Sequence, residues 1–539
     1  MHRHLLLFLA AIGWTSISLG ADVDVRLRLL SPEALEVSYT LPPACTSLAF
    51  LKDGDAGAAT RAAWQSLDGG TAGAGRLERP VGAPAVLRFR VPAATHQVGY
   101  SAAFPMGQGV YAHLSNYAVD THCGTVQYRL AAPGIAVDRR AWRDSAVTAD
   151  NDAGLLLLTA PLPAGDRVPE YVDPRLSPAT AARIRTVADG TVAYLHRELP
   201  SARFTRPVIA AAYAEEPGGP NIGGDASDVL RLALFNWPRA PGPAEDAKLT
   251  RLVSHEFSHR FQLRDAVDAY PDARLIHEGG GEFLRWMASI ENGWLTPAQA
   301  AEDLDGALSD CMLVTEGRSW RSLRPREIAN DRLEYRCGLP AYVYVLAARQ
   351  GNGKALARID AFYRELAAGR RPDVAQALEC GPAPGCRARR MAPLLNADGP
   401  MDAQWGALLR DTGLARAKPP TQAQKDAMVL RAVVKLMKDD CGGRSGTTPT
   451  PDSILLDGMK ACKTFTRDVH VTAIEGLPVF GEGATGAAMT AACTARHAVL
   501  LGLKDGGTLA APCPEPYGMR TDFYGVDIDK VLAALRRAQ

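Results

Sequence analysis

"LVSHEFSHRFQ", residues 252–262, decides how this chain is read. His255 and His259 stand four apart, and Glu256 directly follows the first of them. Leu249, Leu252, Val253, Phe257 and Phe261 recur around them at helical spacing, so the stretch reads as an amphipathic helix. A helix turns by about 100° per residue, which puts positions four apart on one face. His255 and His259 can therefore each aim a ring nitrogen at one ion. Glu256, one step round, reaches an attacking water without ligating the metal; that division of work is what the spacing HExxH supplies. Two ligands are too few, because a catalytic zinc takes three protein donors and keeps one position open.

The third donor is sought downstream. Eighteen residues separate His259 from Glu278, which sits in "RLIHEGGGEFLRWMASIEN", residues 274–292. The run from Gly281 has a helical pattern, so Glu278 is expected at or near the start of a second helix. His277 competes with it, and neighbours on a helix diverge so far that only one of the two faces the ion. Glu278 is preferred, because His/His/Glu is a known donor set for catalytic zinc.

HExxH, eighteen residues, then Glu within "HEGGGEFL" resembles the gluzincin zinc metallopeptidases, in particular the aminopeptidase N and leukotriene hydrolase group. That group carries its third ligand in an Asn-Glu-Gly segment, matched here by His277-Glu278-Gly279. Its Tyr-x-x-Gly pattern, opening an apolar helix, is matched by "EYRCGLPAYVYVLAARQG" with Tyr335 and Gly338. The resemblance implies one zinc per chain on His255, His259 and Glu278, with Glu256 as general base and Tyr335 as oxyanion donor. Tyr342 and Tyr344 read as core. Glu282 is similar in position to the thermolysin-type carboxylate that orients a zinc histidine through its other ring nitrogen; the alternative is an exposed helix glutamate. The likeness covers about 175–415 by order of elements and is specific at these motifs alone.

One segment departs from the family. Its aminopeptidases hold the substrate's free amine with a Gly-x-Met-Glu-Asn segment ahead of the zinc helix. The corresponding "NIGGDASDVLRL", residues 221–232, has neither the Met nor the Glu-Asn pair, although Asp225 and Asp228 are acids in the same stretch. Burying an ammonium without a partner is costly, so cleavage within peptides is expected, with "VLRLALF" aligning the substrate backbone as a sheet edge. An aminopeptidase or other small-substrate zinc hydrolase is the alternative. A peptide-binding protein with a vestigial zinc site is the alternative of another class.

The rest of the chain has to house such a site. At 539 residues it exceeds a single core. Lys plus Arg is 60 and Asp plus Glu is 59, so charge points to neither nucleic acid nor an anionic membrane; the expected partner is a peptide or protein substrate. "MHRHLLLFLAAIGWTSISLGAD" has a basic start, an apolar run from Leu5 to Ile12 and small residues at Ser18 and Gly20, the layout of a signal peptide over 1–20. A buried N-terminal helix is the other reading of it. No later apolar run has the length of a membrane span. Export to a periplasmic or extracellular space is expected, and the ten cysteines, even in number and without a CxxC pair, read as disulfides.

The expected architecture is multidomain α+β. Residues 21–165 alternate in short β-type runs with Gly, Pro and Asp turns, which suggests an antiparallel, sandwich-like domain. Its His96, His113 and His122 share no ligand spacing. Residues 166–415 form a mixed α/β plus helical peptidase domain of zincin type, as the resemblance implies. Residues 420–539 form a small module, and its "IEGLPV" turn, helix and closing hairpin resemble the second half of a PDZ domain.

Overall fold

The computed structural model of the chain describes residues 22–73, 75–95, 100–162, 168–268, 270–350, 353–381, 385–396 and 400–537. The expected leader and His96 lie outside them. The chain divides into two compact units. One comprises the residues up to Arg183 with Thr205–Lys248, the other Ile184–Phe204 with Leu249–Gln539.

In the first unit, alternation becomes strands β1 (Val23–Ser31), β2 (Ala34–Thr40), β3 (Val86–Pro92), β4 (Gly109–His113), β5 (Val126–Val137), β6 (Arg140–Thr148) and β7 (Gly154–Leu158). β3 shows the rule: Leu87, Phe89 and Val91 are buried while Arg88 and Arg90 between them are exposed. Together with two short strands they form a nine-stranded sheet in the order β3-β2-β1-β5-β7-β4, with β6 paired to β5. The expectation of antiparallel pairing is corrected at its centre, where β1 and β5 run parallel with Val23 opposite Val126. A parallel pair needs a long crossover, and the chain between these two strands supplies one. A separate three-stranded sheet of short strands shares the core through Leu48 and Leu77.

The same unit holds a second sheet of β8 (Glu170–Val172), β9 (Val208–Ala214), β10 (Asn221–Ala226) and β11 (Val229–Phe235), in the order β8-β9-β11-β10. "VLRLALF" is β11, an interior strand paired with β9 on one side and β10 on the other. Its expected role as a free edge is therefore corrected. A nearly unbroken apolar run is the mark of a strand covered on both faces, and the edge beside it is β10, with Gly223, Gly224 and Asp225.

Helix α1 (Pro178–Glu198) starts on Ser177, whose Oγ accepts the Thr180 N–H at 3.2 Å. Helix α2 (Pro243–His259) opens with Pro243 and carries Glu245 and Asp246 in its first turn, where the helix dipole favours acids. In the second unit follow α3 (Gly280–Glu291), α4 (Pro297–Thr315) and α5 (Gly338–Ala347). A capping box of Thr296 and Gln299 starts α4. Phe257 is buried on α2, and Phe283, Trp286, Leu304, Leu308, Tyr342 and Tyr344 lie in one helical core. The last stretch opens with α6 (Gln422–Asp440) and has a core of its own around Val433, Leu436, Ile454, Val471 and Leu501. Its "IEGLPV" turn is a two-residue hairpin over Glu475 and Gly476, both with positive φ. Among the described residues, no helix is long and apolar enough to cross a membrane.

All ten cysteines are bridged, as Cys45–Cys123, Cys311–Cys337, Cys380–Cys386, Cys441–Cys462 and Cys493–Cys513. The second bridge ties α4 to the start of α5, close to Tyr335. Thiol titration of the denatured, unreduced protein is accordingly expected to find no free cysteine. Finding most of the ten free would place the chain in a reducing compartment and remove the case for export.

Candidate metal centre

The C-terminal half of α2 carries the site. His255 Nε2 and His259 Nε2 lie 2.9 Å apart, and Glu278 Oε2 lies 3.3 Å from the first and 3.2 Å from the second. Each ring is oriented by its other nitrogen. His259 Nδ1 meets Gln262 Oε1 at 2.8 Å, and His255 Nδ1 meets Glu282 Oε1 at 2.9 Å. A proton on each Nδ1 would leave both Nε2 lone pairs pointing inward, at each other and at a carboxylate oxygen. Three acceptor atoms facing one another repel unless a cation sits among them. Donors about 2.0–2.1 Å from a tetrahedral zinc stand about 3.4 Å apart, close to the spacing of these three. The donor set fits zinc.

The electrostatics agree. Burial alone would lower the His255 pKa, but the Glu278 and Glu282 carboxylates outweigh it and push it up to about 9. Burial would raise the Glu278 carboxyl, but the two imidazoles hold it far below the usual carboxylate range. The two carboxylates favour positive charge at this spot, and a proton and a metal ion compete for the same lone pairs.

Glu278 does not sit in the first turn of an ordinary α-helix. Leu275–Gly279 form a π-type turn that runs directly into α3, a distortion common at functional sites. The three glycines after Glu278 let the backbone come close. A Cβ on Gly279 would lie 2.8 Å from Gly338 Cα, one on Gly280 2.7 Å from Gln262 Nε2, and one on Gly281 2.8 Å from His259 Cε1. The Gly279–Gly338 crossing also brings in the segment that bears Tyr335.

Tyr335 sits beside the histidines, its ring centroid 5.5 Å from that of His255. Burial and then the Glu278 carboxylate push its phenol well above the usual tyrosine range, so it stays protonated and able to donate. Glu256 is buried on α2 next to His255. His277 does not converge with the histidine pair; its ring stacks on His259 at 4.1 Å. Tyr342 is buried with its hydroxyl on the Ile276 carbonyl. Asp225 is engaged elsewhere, bonded to Arg231 at 2.8 Å and to the Tyr111 hydroxyl at 2.8 Å.

Two further clusters gather ligand-type atoms among the described residues, Cys45 with His122 and Cys123, and Asp440 with Cys441 and Cys462. In both, the sulfurs are spent on a disulfide, and a thiolate is what binds metal. Sequence reasoning missed Gln262, although its place three residues after His259 on the same helix face was a usable signal. It also missed Arg251, Arg285 and Asp303, which gather behind Glu282.

No family model matches the sequence, and no curated protein matches it either. Among solved structures, the chain is similar to an aminopeptidase N family protein from Idiomarina loihiensis. The TM-score is 0.62 at 11% sequence identity, with 95% of this chain and 100% of that one covered. At this identity the likeness concerns the fold, a multidomain α+β architecture.

Proposed function

We propose that the chain is an exported zinc-dependent peptidase that hydrolyses peptide bonds. The observation that carries the reading is the convergence of His255, His259 and Glu278, with Glu256 on the same helix. Zinc bound there lowers the pKa of water and polarises the scissile carbonyl. Glu256 accepts the proton of the attacking water and passes it to the leaving amine. Tyr335 donates a hydrogen bond to the oxyanion as it develops. Gln262 and Glu282 keep the two imidazoles turned so that Nε2 faces inward. Five disulfides and the leader-like first twenty residues support export.

The likeness to an aminopeptidase N family protein favours an aminopeptidase over the internal cleavage expected from "NIGGDASDVLRL". Removal of N-terminal residues needs an anion for the substrate's ammonium, and Asp225 is already committed to Arg231. The two modes separate in one experiment, in which kcat/KM is compared for free-amine and N-acetylated versions of one cleaved peptide. Aminopeptidase mode predicts at least a hundredfold loss on acetylation, about 2.7 kcal/mol of transition-state binding. Equal values would assign internal cleavage instead. A purified protein that binds zinc and peptides but cleaves nothing in a peptide library would favour the binding-protein reading.

A further inference from the structure

Glu282 does more than face a histidine. Its Oε1 lies 2.9 Å from His255 Nδ1, while its Oε2 accepts from Arg251 at 2.7 Å and from Arg285 at 2.5 Å. The same two guanidiniums close on Asp303, Arg251 on Oδ1 at 2.9 Å and Arg285 on Oδ2 at 2.6 Å. Two carboxylates and two guanidiniums thus form a closed ring of no net charge, with His255 attached at one corner. Glu282 and Arg285 are 3% and 2% exposed, and Asp303 is mostly buried. The ring draws on three helices: Arg251 and His255 stand one turn apart on α2, Glu282 and Arg285 one turn apart on α3, and Asp303 comes from α4.

A buried ion network is a poor way to gain stability, since apolar side chains of the same volume often serve as well or better. What it supplies is fixed geometry. A guanidinium offers donors in a fixed arrangement, and the two that converge on Oε2 pin that oxygen of the Glu282 carboxylate. Oε1 is then left for His255 alone. We propose that Asp303, Arg251 and Arg285 are positioning residues for the metal centre: Asp303 holds the two arginines, they fix Glu282, and Glu282 sets the His255 ring so that Nε2 meets the metal. This rests on the zinc reading of the site.

The test is zinc affinity of the full-length protein, measured by competition with a chelator, together with the visible spectrum of the cobalt(II)-loaded form. Asp303→Asn removes one negative charge from the ring and is expected to weaken zinc binding about 10–100-fold and to alter the cobalt spectrum. Asp303→Glu should recover part of both. Arg251→Gln, at a side chain that is half exposed, cuts one arm of the ring at little risk to folding and should show the same change in smaller measure. Wild-type zinc affinity and cobalt spectrum in both Asp303→Asn and Arg251→Gln would overturn the proposal, even if melting temperatures fell, because the ring would then only brace the helices. A wild-type protein that takes up no zinc would overturn the metal reading itself, and this inference with it.

Discussion

Replacing Glu256 with glutamine will lower kcat by about 10²–10⁴-fold while zinc content and melting temperature stay at wild-type values. The substitution keeps the volume and hydrogen-bonding length of a side chain that is buried beside His255. An amide cannot take up a proton, so the attacking water loses its base and the leaving amine its acid. Neither loss touches the three converging donors, which are His255, His259 and Glu278. Zinc analysis, thermal melting and kcat on one cleaved peptide measure the three quantities together. A variant that keeps its kcat would remove Glu256 from the chemistry and leave the histidine pair as a metal site without a base.

What could be read early was whatever depends on local periodicity. Helix α2 was legible because Leu249, Val253 and Phe257 repeat every four residues and all three are buried. The preference for Glu278 over His277 rested on the known His/His/Glu donor set, and its Oε2 lies 3.3 Å and 3.2 Å from the two Nε2 atoms. The π-type turn beneath it gave no signal, because five residues are too few to show a change of period. The glycines of "HEGGGEFL" were visible as letters, but their use was not. Gly279 is there for Gly338, about sixty residues away, and only the folded chain sets those two backbones against each other. The parallel pairing of β1 with β5 was hidden for the same reason, since alternation gives which residues point inward but not which strand lies alongside. Arg251, Arg285 and Asp303 were hidden for a different reason. A charged residue on an amphipathic helix is ordinarily a solvated one, and nothing local marks three of them as turned inward onto a fourth.

Glu278→Ala is expected to release zinc, and His277→Ala to keep it. Structural zinc sites bind with about 10–16 kcal/mol over four protein ligands, so one donor is worth on the order of 3 kcal/mol, a hundredfold or more in affinity. Glu278 is the only carboxylate in the converging trio, and its loss also removes the negative charge that offsets two units of positive charge on the ion. The remaining pair, His255 and His259, still stand 2.9 Å apart on one helix face and can hold a metal only weakly. His277 lies one residue earlier, stacked on His259 with its ring plane 15° from parallel. A ring stacked this way presents its face, and its nitrogen lone pairs lie in the ring plane, off the direction of the ion. Removing it loosens the His259 ring without taking away a donor, so zinc should remain at one per chain with at most a small fall in affinity. Equilibrium dialysis against a chelator, run on both variants, decides between them. Full zinc in Glu278→Ala together with loss in His277→Ala would reverse the assignment and require the π-type turn to present its other side chain to the metal.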